Sequence, residues 1–106
     1  MNALLVLSTF PDIEKARQIG TALVESQLAA CVNLIPAIES IYRWQGALEH
    51  GTEVLAIFKT TPAAYAAFEA RLKMLHPYEV PEIVAVKPGE ISASYAAWLQ
   101  ESVIIP

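Results

Sequence analysis

The hydrophobic positions follow two different periods along the chain. A short apolar run over residues 3–9, rich in leucine and valine, is typical of a buried strand. Farther along, apolar residues recur at spacings of three and four, which predicts one buried face of a helix: Ile13, Ala16, Ile19 and Leu23. Pro11 and Asp12 are typical of a helix start, and we expect this helix to end between Gln27 and Ala30.

A long β-prone stretch over residues 31–44 leads into a predicted hairpin. Pro36 has no backbone donor, so we expect a bend or bulge at that position. Beyond it, the alternation puts four side chains on one face of the strand: Ile38, Ser40, Tyr42 and Trp44. Residues 49–52 are the predicted turn, because Gly51 tolerates a positive φ, and the strand returns over residues 53–60.

Prolines delimit the elements in the second half of the chain. Thr61 and Pro62 predict the start of a second helix, which Pro77 must end. A last strand is predicted over residues 82–87. A short final helix follows, capped by Ser92 or Ser94, and its predicted apolar face consists of Tyr95, Trp98 and Leu99.

The predicted order is β-α-β-β-α-β with a helix appended, which defines an α+β, ferredoxin-like βαββαβ sandwich with an extended hairpin. Right-handed crossovers put both helices on one face of a four-stranded sheet. The strands nevertheless carry apolar residues toward both faces, such as Leu55 and Ile57 on one and Val54 and Phe58 on the other. Since a sheet with two apolar faces is normally covered twice, we expect the second face to pack against another copy of the chain.

Composition narrows the class of protein. The 106 residues are interpreted as one domain, 1–106, and the high hydrophobic fraction of 55% excludes disorder. The charged fraction of 17% is low, which favours a homo-oligomer that covers apolar surface. A net charge of −4 without a basic cluster argues against nucleic-acid binding, and no apolar run reaches the ~20 residues of a membrane span. The single cysteine and the lack of a signal-like N-terminus favour a cytoplasmic protein.

Three residues are candidate metal ligands: Cys31, His76 and Glu79. The four-ligand pattern of structural zinc is missing, and plainer alternatives exist. His76 is also consistent with a loop histidine bonded to a backbone carbonyl, and Cys31 with a small buried hydrophobe. A Cys31 nucleophile with His76 as its base is the enzymatic alternative. Because no orienting group or oxyanion donor accompanies that pair, no catalytic function is expected, and no organic cofactor is predicted.

Aromatic and cationic residues offer a second kind of candidate site. Tyr42, Trp44, Tyr78 and Trp98 are expected either to line a cleft between subunits or to pack in the core or an interface. Lys59 is a candidate ion-pair partner or anion ligand, and it is also the nearest positive charge that would activate the thiol of Cys31.

Four blocks of the sequence closely resemble the CutA divalent-cation tolerance proteins: residues 28–36, 40–46, 53–60 and 75–83. The Tyr-Arg-Trp block that ends at Trp44 and the His-Pro-Tyr-Glu-Val-Pro block that begins at His76 are the specific ones. The resemblance extends from about Ser8 to Leu99. It implies a ferredoxin-like homotrimer with a role in the tolerance of divalent metals such as copper, and no established reaction.

The resemblance also implies a site in clefts between subunits, with matching positions at Cys31, Tyr42, Trp44, Lys59, His76, Tyr78, Glu79 and Trp98. Some members carry extra cysteines that can bind copper, whereas this chain has one cysteine and cannot form a multi-thiolate copper site within one subunit. The function that follows is a non-enzymatic homotrimer that binds or senses copper or another divalent metal. The alternative is a trimeric, PII-like signalling or anchoring module that binds a small metabolite or a partner protein.

Overall fold

The computed structural model describes residues 3–104, which form four strands and three helices in the predicted order. The strands are β1 (Leu4–Phe10), β2 (Cys31–Trp44), β3 (Ala47–Thr60) and β4 (Val84–Val86), and the helices are α1 (Ile13–Glu25), α2 (Tyr65–Leu75) and α3 (Ala93–Ser102). The sheet order is β2-β3-β1-β4, with every neighbouring pair antiparallel. The ferredoxin-like prediction is therefore confirmed. Within residues 3–104, no helix is long and apolar enough to cross a membrane.

The core lies between one face of the sheet and the helices α1 and α2. The predicted stripe of α1 is confirmed, since Ala16, Ile19 and Leu23 are buried. These side chains meet alternate residues of the strands and the inner face of α2, and the members of this core include Val6, Phe10, Ala56, Phe58, Phe68 and Leu72. A Cβ added at Gly20 would lie 3.0 Å from Cγ1 of Val32, so this glycine permits the close approach of α1 to β2.

The start of α1 matches the sequence prediction, whereas its end does not. Asp12 is the N-cap, and its carboxylate accepts a hydrogen bond of 2.8 Å from the backbone N–H of Lys15. The helix ends at Glu25, before the predicted range. Gln27 adopts a φ of 60°, a left-handed conformation that reverses the chain and ends the helical hydrogen bonding.

The hairpin turn lies at Gln45 and Gly46, so the prediction of a turn at residues 49–52 is wrong. Trp44 pairs with Ala47, and the two residues between them have positive φ values of 49° and 80°. Two consecutive positive φ values match the twist of the flanking strands in a tight hairpin. Gly51 lies inside β3 and pairs with Ser40. A glycine inside a strand was therefore misinterpreted as a turn residue.

The predictions for the other elements match the structure to different degrees. The register shift between Ile35 and Ile38 confirms the bulge predicted at Pro36. Thr61 accepts from the N–H of Ala64 but caps only the turn that precedes α2. Strand β4 is shorter than predicted. Ser92 is the N-cap of α3, whose buried residues are Ala96 and Leu99, while Tyr95 and Trp98 are exposed at its surface rather than part of its buried face.

The second face of the sheet carries no helix of the core and is apolar. We call it the open face, and the strand registers place on it Leu5, Leu7, Ile35, Leu55, Ile57, Val84 and Val86. Ile35 and Val84 are 40% and 48% exposed. The single chain thus leaves uncovered the face that the sequence predicted to be apolar.

Candidate functional site

A groove of about 860 Å³ lies on the open face, between the hairpin and the loop that follows α2. Four of the predicted site residues line it: Tyr42, Trp44, Tyr78 and Glu79. Its other walls come from the sheet and the loop, and they include Leu7, Thr9, Ile38, Ser40, Glu53, Leu55 and Glu82. The groove therefore combines aromatic rings, aliphatic side chains and carboxylates.

The strand alternation after the bulge at Pro36 builds the hairpin wall. The register of β2 on β3 puts four residues on one face, as predicted, and all four line the groove: Ile38, Ser40, Tyr42 and Trp44. Tyr42 and Trp44 are 47% and 41% exposed, so their rings are accessible in the single chain. A one-residue change of register would turn these rings to the opposite face, because strand side chains alternate with a period of two.

A hydrogen bond joins the loop wall to the sheet. The hydroxyl of Tyr78 donates to Oε2 of Glu53 at 2.6 Å. Burial, then the hydrogen bond and the negative charge of Glu53, raise the pKa of Tyr78 well above its ordinary value. Sequence reasoning missed Glu53. The available signal was its place in the alternation of β3, which puts a carboxylate on the same face as Leu55.

His76 lies behind the groove and is only 8% exposed. Its Nε2–H donates to the backbone carbonyl of Thr9 at 2.8 Å, and its Nδ1 accepts from the backbone N–H of Tyr78 at 3.1 Å. The ring stacks on Phe10 with 4.6 Å between centroids. Burial lowers the pKa of His76, although the bond to Thr9 and the charge of Glu53 oppose that effect. This arrangement holds a neutral imidazole with both ring nitrogens occupied.

The three predicted metal ligands do not converge within one chain. No group of three or more His, Cys, Asp or Glu residues suited to a metal occurs among residues 3–104. Cys31 is paired with Lys59, whereas His76 contacts Thr9 opposite Leu55, which implies a separation of roughly 13 Å along the strands. The lone pair of Nδ1 in His76 is also engaged already. Of the three, only Glu79 lines the groove.

The remaining predicted site residues lie at the other end of the open face. Lys59 donates to Oδ1 of Asn33, and its ammonium lies 5.9 Å from the centroid of the Tyr95 ring. The thiol of Cys31 lies 3.7 Å from the hydroxyl of Tyr95, and Trp98 stands beside Tyr95 with 5.4 Å between centroids. Glu53 and Lys59 share a strand, so roughly 20 Å separates this cluster from the groove.

The lowered pKa of His76 predicts a pH-dependent stability. The unfolded chain takes up a proton near pH 6.5, whereas the folded chain does so only at lower pH. The contribution of the neutral ring to the free energy of unfolding is therefore complete above pH 6.5, and it declines as the pH falls toward the pKa of His76 in the folded chain. We expect the free energy of unfolding, measured with urea between pH 7 and pH 5, to fall less steeply with decreasing pH for His76→Gln than for the parent.

The chain contains one other histidine, which supplies a matched control. His50 is exposed on the hairpin, so His50→Gln should retain the slope of the parent. If His76→Gln and the parent lose the same free energy of unfolding over this pH range, the buried neutral imidazole is not the origin of the effect.

The structure is that of a ferredoxin-like protein with an extended hairpin and a groove on the open face of its sheet. The family model described as CutA1 divalent ion tolerance protein matches residues 4–102. The chain belongs to this CutA1 family.

Individual relatives agree in both sequence and structure. The divalent-cation tolerance protein CutA of Thermus thermophilus is 50% identical over 98 residues, which cover 92% of this chain and 95% of that protein. A solved structure of the Thermus thermophilus protein has a TM-score of 0.92 and 48% identity, and the match covers 95% of this chain and 98% of that one. Human protein CutA is 41% identical over 93 residues, which span 88% of this chain but only 52% of the human protein. The name of the bacterial relative describes cation tolerance, and neither name describes a reaction.

Proposed function

We propose that the chain is a non-enzymatic homotrimer of divalent-cation tolerance that binds a divalent metal, copper first, in clefts at the subunit seams. The observation that carries this proposal is the groove on the open face, which carboxylate residues line beside aromatic rings: Glu53, Glu79 and Glu82. The groove lies along the surface that a second copy would cover, so it becomes a cleft between copies.

The uncovered apolar face supports the assembly. Leu5, Leu7, Leu55 and Ile57 form a continuous strip across the central strands, and burial of such a strip is worth about 25 cal/mol per Å². β2 is an edge strand of the sheet, and its free edge offers unpaired backbone groups to a neighbour. The resemblance to the CutA proteins implies three copies.

The donor set favours a divalent cation. Carboxylate oxygens bind many divalent metals, and for a given site of nitrogen or oxygen donors copper(II) binds most tightly among the first-row ions. Cys31 is the one thiol of the chain, and it joins such a site only if a neighbouring copy brings it to the groove. A reducing cytoplasm suits this free thiol.

The absence of an assembled nucleophile supports the non-enzymatic part of the proposal. A thiol and an imidazole must lie within hydrogen-bonding reach to act together. Within the described chain, Cys31 and His76 lie at different ends of the sheet, and both ring nitrogens of His76 are occupied.

A second candidate function uses the same groove. The accessible rings of Tyr42 and Trp44 are suited to stack on an organic molecule, which favours a signalling or anchoring module with a small metabolite or a partner protein as its ligand. A metal would need the carboxylates of the groove, whereas an aromatic metabolite would need its aromatic rings. Variants of the two kinds of residue therefore separate the two candidate functions.

We expect calorimetric titration with Cu²⁺ to show saturable binding, and Glu79→Gln to raise its Kd about tenfold, which corresponds to ~1.4 kcal/mol. Glu101→Gln is the matched control, because Glu101 is exposed on α3 outside the groove. Equal loss in both variants would assign the effect to net charge. A groove that takes up no Cu²⁺, but loses binding of aromatic metabolites in Trp44→Ala, would support the second candidate instead.

A further inference from the structure

We infer that His76 is a positioning residue for the groove: its ring fastens the loop after α2 to β1, so that Tyr78 stands against Glu53 as the groove wall. The inference rests on the proposed function insofar as the groove is the binding site. His76 itself does not line the groove, and it therefore acts through Tyr78.

The backbone leaves α2 in a direction that Pro77 dictates. His76 has φ −69° and ψ 134°, the extended geometry expected before a proline. Its backbone N–H still donates to the carbonyl of Leu72 at 2.9 Å, so the first residue of the loop is tied to the last turn of the helix. The side chain of His76 is thereby directed toward the end of β1.

The ring then supplies one donor and one acceptor to two backbone groups that face each other across a buried gap. Nε2–H satisfies the carbonyl of Thr9, and Nδ1 satisfies the N–H of Tyr78. Only a neutral imidazole protonated at Nε2 fulfils both demands. Stacking on Phe10, at an interplanar angle of 16°, fixes the plane of the ring.

The elements around the ring present different groups to it. The negative charge of Glu53 on β3 acts on the ring, and β1 presents the Thr9 carbonyl and the Phe10 ring. In the loop, the Tyr78 ring lies 5.0 Å from the imidazole between centroids, and its hydroxyl reaches Glu53. His76 and Glu53 thus hold Tyr78 at its two ends, one by the backbone and the other by the hydroxyl.

Three substitutions separate the two hydrogen bonds of the ring. The carbonyl oxygen of asparagine takes the place of Nδ1, so His76→Asn retains the bond from Tyr78. The longer glutamine places its amide near Nε2, so His76→Gln retains the bond to Thr9. His76→Ala retains neither, and His50→Ala serves as the control at the other histidine of the chain.

The test is amide hydrogen exchange of Tyr78 followed by NMR, with Cu²⁺ titration of the same variants. We expect His76→Ala to speed exchange of the Tyr78 amide about tenfold and to weaken Cu²⁺ binding by a similar factor, as befits one lost hydrogen bond. His76→Asn should return the exchange rate of the Tyr78 amide to within about threefold of the parent, and His50→Ala should change neither measurement. The parent's imidazole ¹⁵N shifts should report the Nε2–H tautomer.

Two results would overturn the inference. One is an unchanged Tyr78 amide in His76→Ala. The other is loss of Cu²⁺ binding in all three His76 variants while the Tyr78 amide stays protected, since that pattern makes His76 a ligand. If His76→Ala does not fold, the contrast between the Asn and Gln variants at the Tyr78 amide decides the matter. Failure of the parent to bind Cu²⁺ would reject the proposed function alone, because the exchange measurement involves no metal.

Discussion

Replacing Ile57 with glutamate is expected to convert the proposed homotrimer into single folded chains of 11.6 kDa. Ile57 lies at the centre of the open face, where it pairs with Leu7 on one side and Asn33 on the other. If copies of the chain cover this face, the variant places an unpaired carboxylate in each apolar interface. An uncompensated buried charge costs about 3–5 kcal/mol, which is large for a contact between small subunits.

Sedimentation velocity at low micromolar concentration measures this effect. The parent is expected to sediment as three chains and Ile57→Glu as one, with a far-UV spectrum that shows an intact fold. Met74→Glu is the matched control, because Met74 is a large apolar residue on the helical side that is already 69% exposed. A parent that sediments as a single folded chain, or a variant that stays trimeric, would contradict the proposed use of the open face.

Replacing Phe58 with alanine is expected to lower the free energy of unfolding by about 3–5 kcal/mol. Phe58 is fully buried on the opposite face of the same strand, and its ring meets Phe68 of α2 edge-on with 5.1 Å between centroids. Truncation removes this aromatic contact and leaves a cavity between the sheet and α2 that the rigid strand pairing on both sides of β3 cannot close.

Urea unfolding followed by circular dichroism gives the free energy difference. Parent and variant must be compared at one protein concentration, because the stability of an oligomer depends on it. Met74→Ala should change the unfolding free energy by no more than about 0.5 kcal/mol. A loss below about 1 kcal/mol for Phe58→Ala would mean that the sheet and α2 do not pack as described.

These two predictions concern neighbouring residues whose effects differ in kind. Ile57 and Phe58 point to opposite faces because side chains alternate along a strand. One substitution is expected to change how copies associate and the other how each copy folds. The apolar residues on the two faces of β3 thus have separate physical consequences. Those on the helical side are buried by α1 and α2 within the chain, whereas those on the open face are not covered by these helices.

The hairpin shows where local sequence signals mislead. Gly51 attracted the turn prediction, yet the chain turns at Gln45 and Gly46, and Gln45 is an unusual residue for a positive φ. The long pairing of β2 with β3 sets the register, and the bulge at Pro36 shifts it. That register decides which two residues remain between the strands, and no window around the turn contains this information.

The candidate site was predictable in part. Tyr42, Trp44, Tyr78 and Glu79, four of the eight positions matched to the family, line the groove. Cys31, Lys59 and Trp98 surround Tyr95 instead, at the far end of the same face. His76 lies behind the groove wall, because its ring is buried against Thr9 and Phe10 of β1, which are distant from it in sequence. Glu53 was missed, since its partner Tyr78 is distant in sequence.

The sequence by itself determined the order of elements, the apolar face of α1, the bulge at Pro36, and the presence of apolar residues on both faces of β3. Periodicity and the effects of proline are local properties, so they can be predicted from short stretches of the sequence. Only the tertiary structure decided the strand register, the place of the hairpin turn, and which functional side chains meet. Those features depend on contacts between residues far apart in sequence, which the free energy of the whole fold selects together.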